Sequence, residues 1–184
     1  SAKVAHMFVR LFLASLFTLC AAFAQEPRVA AANKAVFGQL PFDDRRDFDD
    51  AMRGFIATTP DPRKQYDFLN GESPATVNPS LWRQAQLNAI HGLFRIADGI
   101  YQVRGFSLAN MTIVEGASGV IVIDPLMTVA SAREALELYF AHRPRRPVTA
   151  VIYTHSHRDH IGGGRGVADM ARVRAGEIRV IAPA

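Results

Sequence analysis

His155, Ser156, His157, Arg158, Asp159 and His160 gather four potential metal donors within six residues, directly after the apolar run Val148 to Tyr153 and just before Gly162, Gly163 and Gly164. A chain leaving a β-strand in extended form carries residues i and i+2 to the same side, so His155 and His157 can aim ring nitrogens at one metal ion. Asp159 and His160 fall where the chain must turn toward a helix, so a carboxylate oxygen and another imidazole can face a second ion close by. Two ions so placed can share one water. A bound divalent metal lowers the pKa of water from about 15.7 to about 7, which supplies hydroxide at neutral pH without a protein base. The pattern predicts a dinuclear centre on His155, His157, Asp159 and His160, with no catalytic side chain beyond the activated water. Imidazoles with a carboxylate suit Zn2+, although iron or manganese occupy similar mixed sites.

The elements that must hold this cluster are legible as alternating short strands and helices. Leu93 to Ala97 and Ile100 to Arg104 flank Asp98-Gly99, a two-residue hairpin turn that tolerates positive φ. Met111 to Glu115 and Val120 to Asp124 form a second pair around a Gly-Ala-Ser-Gly turn. A helix follows, with Ser131 and Glu134 as its capping box, Val129, Ala132, Leu136 and Phe140 on one face, and Pro144 as its stop. Val148 to Tyr153 is a buried strand that delivers the cluster, a helix over Val167 to Ala175 succeeds it, and Ile178 to Ala182 is the last strand. Arg158 alternates away from its neighbours and is expected to face solvent.

Upstream, the mixed-sign run Asp43 to Asp50 reads as a solvated helix face or a flexible lead-in. Prolines at 60, 62, 74 and 79 predict an extended arm over Thr58 to Asn78. Asn78 can then cap a helix that has Pro79 at its first position and runs through Trp82, a packing anchor, and Leu87 to Gly92.

At the start, Arg10 precedes an apolar stretch, Leu11 to Ala22, that ends in Ala22-Phe23-Ala24, the form of a secretory signal peptide with an A-x-A cleavage site. Export to the periplasm or medium is therefore expected. The stretch is short for a membrane span, and no later segment approaches the ~20 apolar residues required, so no stable membrane anchor is expected. Cys20, the one cysteine, lies inside the leader, which removes thiols from the candidate ligands and nucleophiles. Without Lys3 and Arg10 the chain keeps 19 basic and 17 acidic residues, which is no footprint for nucleic acid. Arg143, Arg145 and Arg146, which flank Pro144 and Pro147, are expected to form a solvated loop.

The run THSHRDHIGG, Thr154 to Gly163, resembles the T-H-x-H-x-D-H-x-G-G hallmark of the metallo-β-lactamase superfamily. TVNPSLWRQAQLN (Thr76 to Asn88), DGIYQVRG (Asp98 to Gly105) and NMTIVEG (Asn110 to Gly116) are similar to phrases of its alkylsulfatase branch, zinc enzymes that hydrolyse dodecyl sulfate and related esters. The resemblance runs from about Gly54 to the last residue. It implies an α/β (α+β) fold, the first half of an αββα sandwich, organised as a signal peptide (1–24), an N-terminal arm with a helix (25–92) and a partial metallo-β-lactamase-like domain (93–184).

It also implies two Zn2+ ions and an alkyl sulfate substrate cleaved to alcohol and inorganic sulfate. In that family further glutamates, a histidine and the sulfate-binding residues come from downstream segments. The chain is thus expected to be an N-terminal fragment, inactive alone, and homodimerisation of the full-length protein is left open. Rival readings are another hydrolase of the superfamily (lactonase, thioesterase or β-lactamase) and a non-catalytic secreted metal-binding module. Carboxylates placed like Asp124, at a strand end before Pro125, commonly brace the metal loop in this superfamily, a role that fits the need to orient ligands. A plain turn residue is the alternative. Thr154 either fixes the backbone of the motif or makes a packing or turn contact.

Overall fold

A computed structural model describes residues 27–37, 44–59 and 64–183. The expected signal peptide lies outside these residues. In chain order the helices are α1 (27–37), α2 (Arg46–Met52), α3 (Pro79–Asn88), α4 (Val129–His142), α5 (Arg158–Ile161), α6 (Gly164–Val167) and α7 (Met170–Arg174). The strands are β1 (Phe55–Ala57), β2 (Gly92–Ala97), β3 (Ile100–Arg104), β4 (Met111–Glu115), β5 (Val120–Ile123), β6 (Val148–Ile152) and β7 (Arg179–Ile181).

The chain divides into two units, Ser1–Arg45 with Asp67–Gln86, and Arg46–Tyr66 with Leu87–Ala184. In the first, α3 begins as its sequence predicts: the Asn78 side chain accepts from Ser80 N–H at 2.9 Å, and Pro79 fills the first helical position, where no backbone donor is needed. Trp82 packs against Phe68 at 5.9 Å between rings and donates from Nε1 to the Gly71 carbonyl at 3.0 Å, so it is an anchor for the loop before its own helix.

The second unit carries a seven-stranded sheet whose strands follow chain order, β1 to β7. The first five are antiparallel, and β5, β6 and β7 are parallel. Side chains alternate across it. Tyr101, Val103, Met111, Ile113, Val120 and Val122 are buried on one face, where Ala132, Ala135, Leu136 and Tyr139 of α4 join the same apolar core. Parallel neighbours need a crossover, supplied by α4 between β5 and β6 and by α5 to α7 between β6 and β7.

Several local expectations change. The stretch expected as an extended arm contains a 3-10 helix at Lys64–Asn70, and β1 just before it pairs with β2 at the edge of the sheet. The charged run before that takes the helical one of its two expected forms, from Arg46. In the Asp98-Gly99 turn only Gly99 has positive φ, and a register shift between Arg95 and Ala97 absorbs the mismatch. α4 starts ahead of the Ser131–Glu134 box because Thr128 is its cap, its hydroxyl accepting from Ser131 N–H at 3.1 Å. The single helix expected over Val167 to Ala175 is broken at Ala168 (φ −128, ψ 129), and Asp169 caps a new one by accepting from Ala171 N–H at 2.7 Å.

The three arginines after α4 are ion-paired or bonded rather than merely solvated. Arg143 donates to both Glu115 oxygens at 2.9 and 3.1 Å, Arg145 pairs with Glu137, and Arg146 donates to the Ala117 carbonyl at 2.6 Å. Arg143 and Arg146 fasten the end of α4 to the β4–β5 turn, while Arg145 folds back on α4 itself. The Arg143 guanidinium holds the Glu115 carboxyl below its ordinary pKa, against the opposing effect of burial and with a further bond from the Tyr139 hydroxyl.

Candidate metal centre

Parallel pairing matches Ile123 of β5 with Ile152 of β6, so the residues after each strand emerge side by side at the carboxyl end of the sheet. That end is where open α/β sheets place ligands. Asp124 leaves β5 and the Tyr153-Thr154-His155 segment leaves β6. Asp124 N–H donates to the Ile152 carbonyl at 2.9 Å, which locks the two exits together.

The turn after β5 is tight. Asp124 (φ 52) and Leu126 (φ 63) both hold left-handed backbone conformations, unusual for residues with a Cβ. The glycine run packs against this turn. Gly163 N–H donates to the Leu126 carbonyl at 2.9 Å, and a Cβ on Gly163 would lie 1.9 Å from the Pro125 carbonyl oxygen. One on Gly162 would lie 2.1 Å from the Met127 carbonyl oxygen. Two backbones therefore meet in contact just behind the histidines.

The four residues of the predicted ligand set lie in two neighbouring pairs, and the three-donor group among the described residues is Asp124, His155 and His160, without His157 or Asp159. His155 Nε2 lies 3.2 Å from His157 Nδ1, and Asp159 Oδ2 lies 3.4 Å from His160 Nε2. Tetrahedral zinc with bonds of about 2.0–2.1 Å separates its ligand atoms by roughly 3.3–3.4 Å, so each pair fits the edge of one coordination sphere. The pairs adjoin, since the His155 and His160 rings are 4.0 Å apart between centroids. Imidazoles with a carboxylate are a donor set that suits a divalent metal ion. His157 is exposed and the other three are half-buried, while Arg158 faces solvent.

Asp124 is the buried charged residue at the site, 7% exposed. With His155 and His160 it forms a group whose donor atoms lie within 4.8 Å of one another, so it too is close enough to hold an ion. Its oxygens are already engaged, however. Oδ1 accepts from Thr154 N–H at 2.8 Å; Oδ2 accepts from the Thr154 hydroxyl at 2.6 Å and from His160 Nδ1 at 2.8 Å. That geometry makes Asp124 a brace for ligands more than a ligand. Burial pushes its carboxyl pKa up, but the bonds from Thr154 and His160 overcome this and place it below the ordinary carboxylate value.

Comparison with known proteins agrees with the fold and the motif. The profile of the metallo-beta-lactamase superfamily matches residues 104–184. Alkyl/aryl-sulfatase BDS1 of Saccharomyces cerevisiae is 53% identical over 176 residues, covering 88% of this chain and 27% of that protein. A linear primary-alkylsulfatase of Pseudomonas sp. is 53% identical over 167 residues, covering 83% of this chain and 25% of that protein. Among solved structures, the stereoselective inverting sec-alkylsulfatase Pisa1 from Pseudomonas sp. superposes with a TM-score of 0.76 at 51% identity, over 83% of this chain and 26% of that one.

The chain belongs to the metallo-β-lactamase superfamily. Within it, alkylsulfatases are the relatives it is similar to over most of its length, and it spans about a quarter of theirs.

Proposed function

We propose that this chain supplies the metal-binding segment of an exported, dizinc alkylsulfatase, which hydrolyses alkyl sulfate esters such as dodecyl sulfate to an alcohol and inorganic sulfate. The observation that supports it is the convergence of two donor pairs in a chain that matches alkylsulfatases over most of its length. His155 and His157 would hold one ion, and Asp159 and His160 the other. Divalent ions there supply Lewis acidity, which acidifies water and offsets negative charge on ester oxygens. The chain's own residues orient the ligands: Asp124 grips His160 and Thr154, and the glycine run seats the motif against the β5–α4 turn. The leader-like sequence Arg10 to Ala24 supports export to the periplasm or medium.

Inorganic sulfate released from dodecyl sulfate by the full-length protein is the test, run untreated, after chelation and after zinc is restored. Release that falls with chelator and returns with zinc is expected. A folded, zinc-loaded protein that releases no sulfate from dodecyl sulfate or other alkyl sulfates would refute the reading.

A further inference from the structure

The first unit contains a cavity of about 850 Å³ that shares no residue with the metal centre. Three segments build it. α1 is laid across the loop before α3 by Asn33, whose Nδ2 donates to the Ala75 carbonyl at 2.8 Å. Ala30, Lys34 and Phe37 then line the cavity from one helical face, at positions i, i+4 and i+7. The loop is closed by Val77 N–H donating to the Pro74 carbonyl at 2.9 Å, and both residues contribute apolar wall. From α3 comes Trp82. Its single donor, Nε1, is committed to the Gly71 carbonyl at 3.0 Å, so it offers the cavity ring surface only.

The lining is mainly apolar, and Phe37 is 57% exposed, a large ring open to water beside the cavity. Among the described lining residues stand three cations, Lys34, Arg45 and Arg83, against one carboxylate, Glu72. Arg83 is held there by donating to the Asp44 carbonyl at 2.6 Å. Ligand cavities of roughly 300–1,000 Å³ combine apolar walls with a few placed polar groups, and this one falls within that range. A cationic excess beside aromatic surface selects a negative head on an apolar chain, since guanidinium and ammonium groups bind oxyanions by charge-assisted hydrogen bonds.

We propose that this cavity is a binding site for a single-chain amphiphilic anion. The chain packs on Phe37, Val77 and Trp82, and Lys34, Arg45 and Arg83 hold the head. The site binds by burial and charge and breaks no bond in its ligand. It stands independently of the metal-centre reading.

The test is photolabelling of the full-length protein with a decanoate that carries a diazirine on its chain, followed by peptide mapping. Saturable labelling within residues 27–37 or 71–86 is expected. Decane-1-sulfonate, which has no ester bond to hydrolyse, should compete, and decyltrimethylammonium, with a similar chain and the opposite charge, should not. Lys34→Glu should raise the probe concentration needed for half-labelling about tenfold, the effect of turning an attractive charge into a repulsive one. Either order of competition between decane-1-sulfonate and plain decanoate supports the site, and the order tells a sulfate-like head from a carboxylate.

Labelling that never saturates, that the ammonium blocks as well as the sulfonate does, or that falls wholly outside these segments would overturn the proposal. Should Lys34→Glu fail to fold, the competition series on the wild type decides alone. Sulfate release from alkyl sulfates, measured separately, judges the metal-centre reading, so either can fail without the other.

Discussion

Gly163 shows how a residue without a side chain can govern a metal motif. Its backbone conformation is ordinary, and the demand on it is spatial: an added Cβ would stand 1.9 Å from the Pro125 carbonyl oxygen and 2.7 Å from both the Ala132 Cβ and the Thr128 carbonyl oxygen. Two of these atoms belong to backbone, so no side-chain rotation relieves the clash. Gly163→Ala should therefore cost about 3 kcal/mol, near the top of the usual range for overpacking. Denaturant midpoints measure this, and an unchanged midpoint would mean that the β5–α4 turn does not press on the motif. The closeness of the four candidate donors was legible from sequence because they lie within six residues and their geometry is nearly local. The partners of Asp124 were not. It meets Thr154 across 30 residues, and only the parallel register of β5 with β6 brings them together.

At the scale of elements, the end of α4 hangs on one carboxylate. Glu115 receives Tyr139 and Arg143 of the helix and its C-terminus, and its side chain is 17% exposed. A carboxyl whose pKa is depressed by folding contributes stability above its unfolded pKa, about 4.3, and loses it as pH falls through the lower folded value. Glu115→Gln should thus cost about 1–2 kcal/mol at neutral pH. The difference in melting temperature from the wild type should shrink below about pH 4. A gap that persists unchanged into acid would assign the loss to shape and not to charge.

The strand pairs and α3 were readable because alternation, a turn glycine and an Asn-Pro start are local signals. The start of α4 was misplaced because Thr128 and Ser131 both offer a capping hydroxyl, and the chain uses the earlier one. β1 was missed for a different reason. Three residues are too few to show a period, and its strand character comes from pairing with β2 far along the chain.

For the whole molecule, the proposed activity raises the question of which ester bond breaks. The neighbour Pisa1 is described as inverting, and inversion at a carbinol carbon requires attack on carbon with loss of sulfate. If the full-length protein shares that course, hydrolysis of a secondary alkyl sulfate in heavy-oxygen water will place the label in the alcohol and give it inverted configuration. Label found only in sulfate would show S–O cleavage and separate this protein from that neighbour. The chain's similarity to a primary-alkylsulfatase is as strong, so comparing primary with secondary esters in the same assay addresses preference as well as bond.

The agreement of spatial and sequential strand order has a consequence for biogenesis. From β2 onward, each strand leaving the ribosome finds its partner already made, because its neighbour in the sheet is the strand synthesised just before it. Asp124 precedes Thr154 by 30 residues, a delay of roughly 1.5–6 s at about 5–20 residues per second. The nascent chain thus completes the carboxylate's side of the centre before the histidines of the motif emerge, so this part of the centre is assembled in the order of translation.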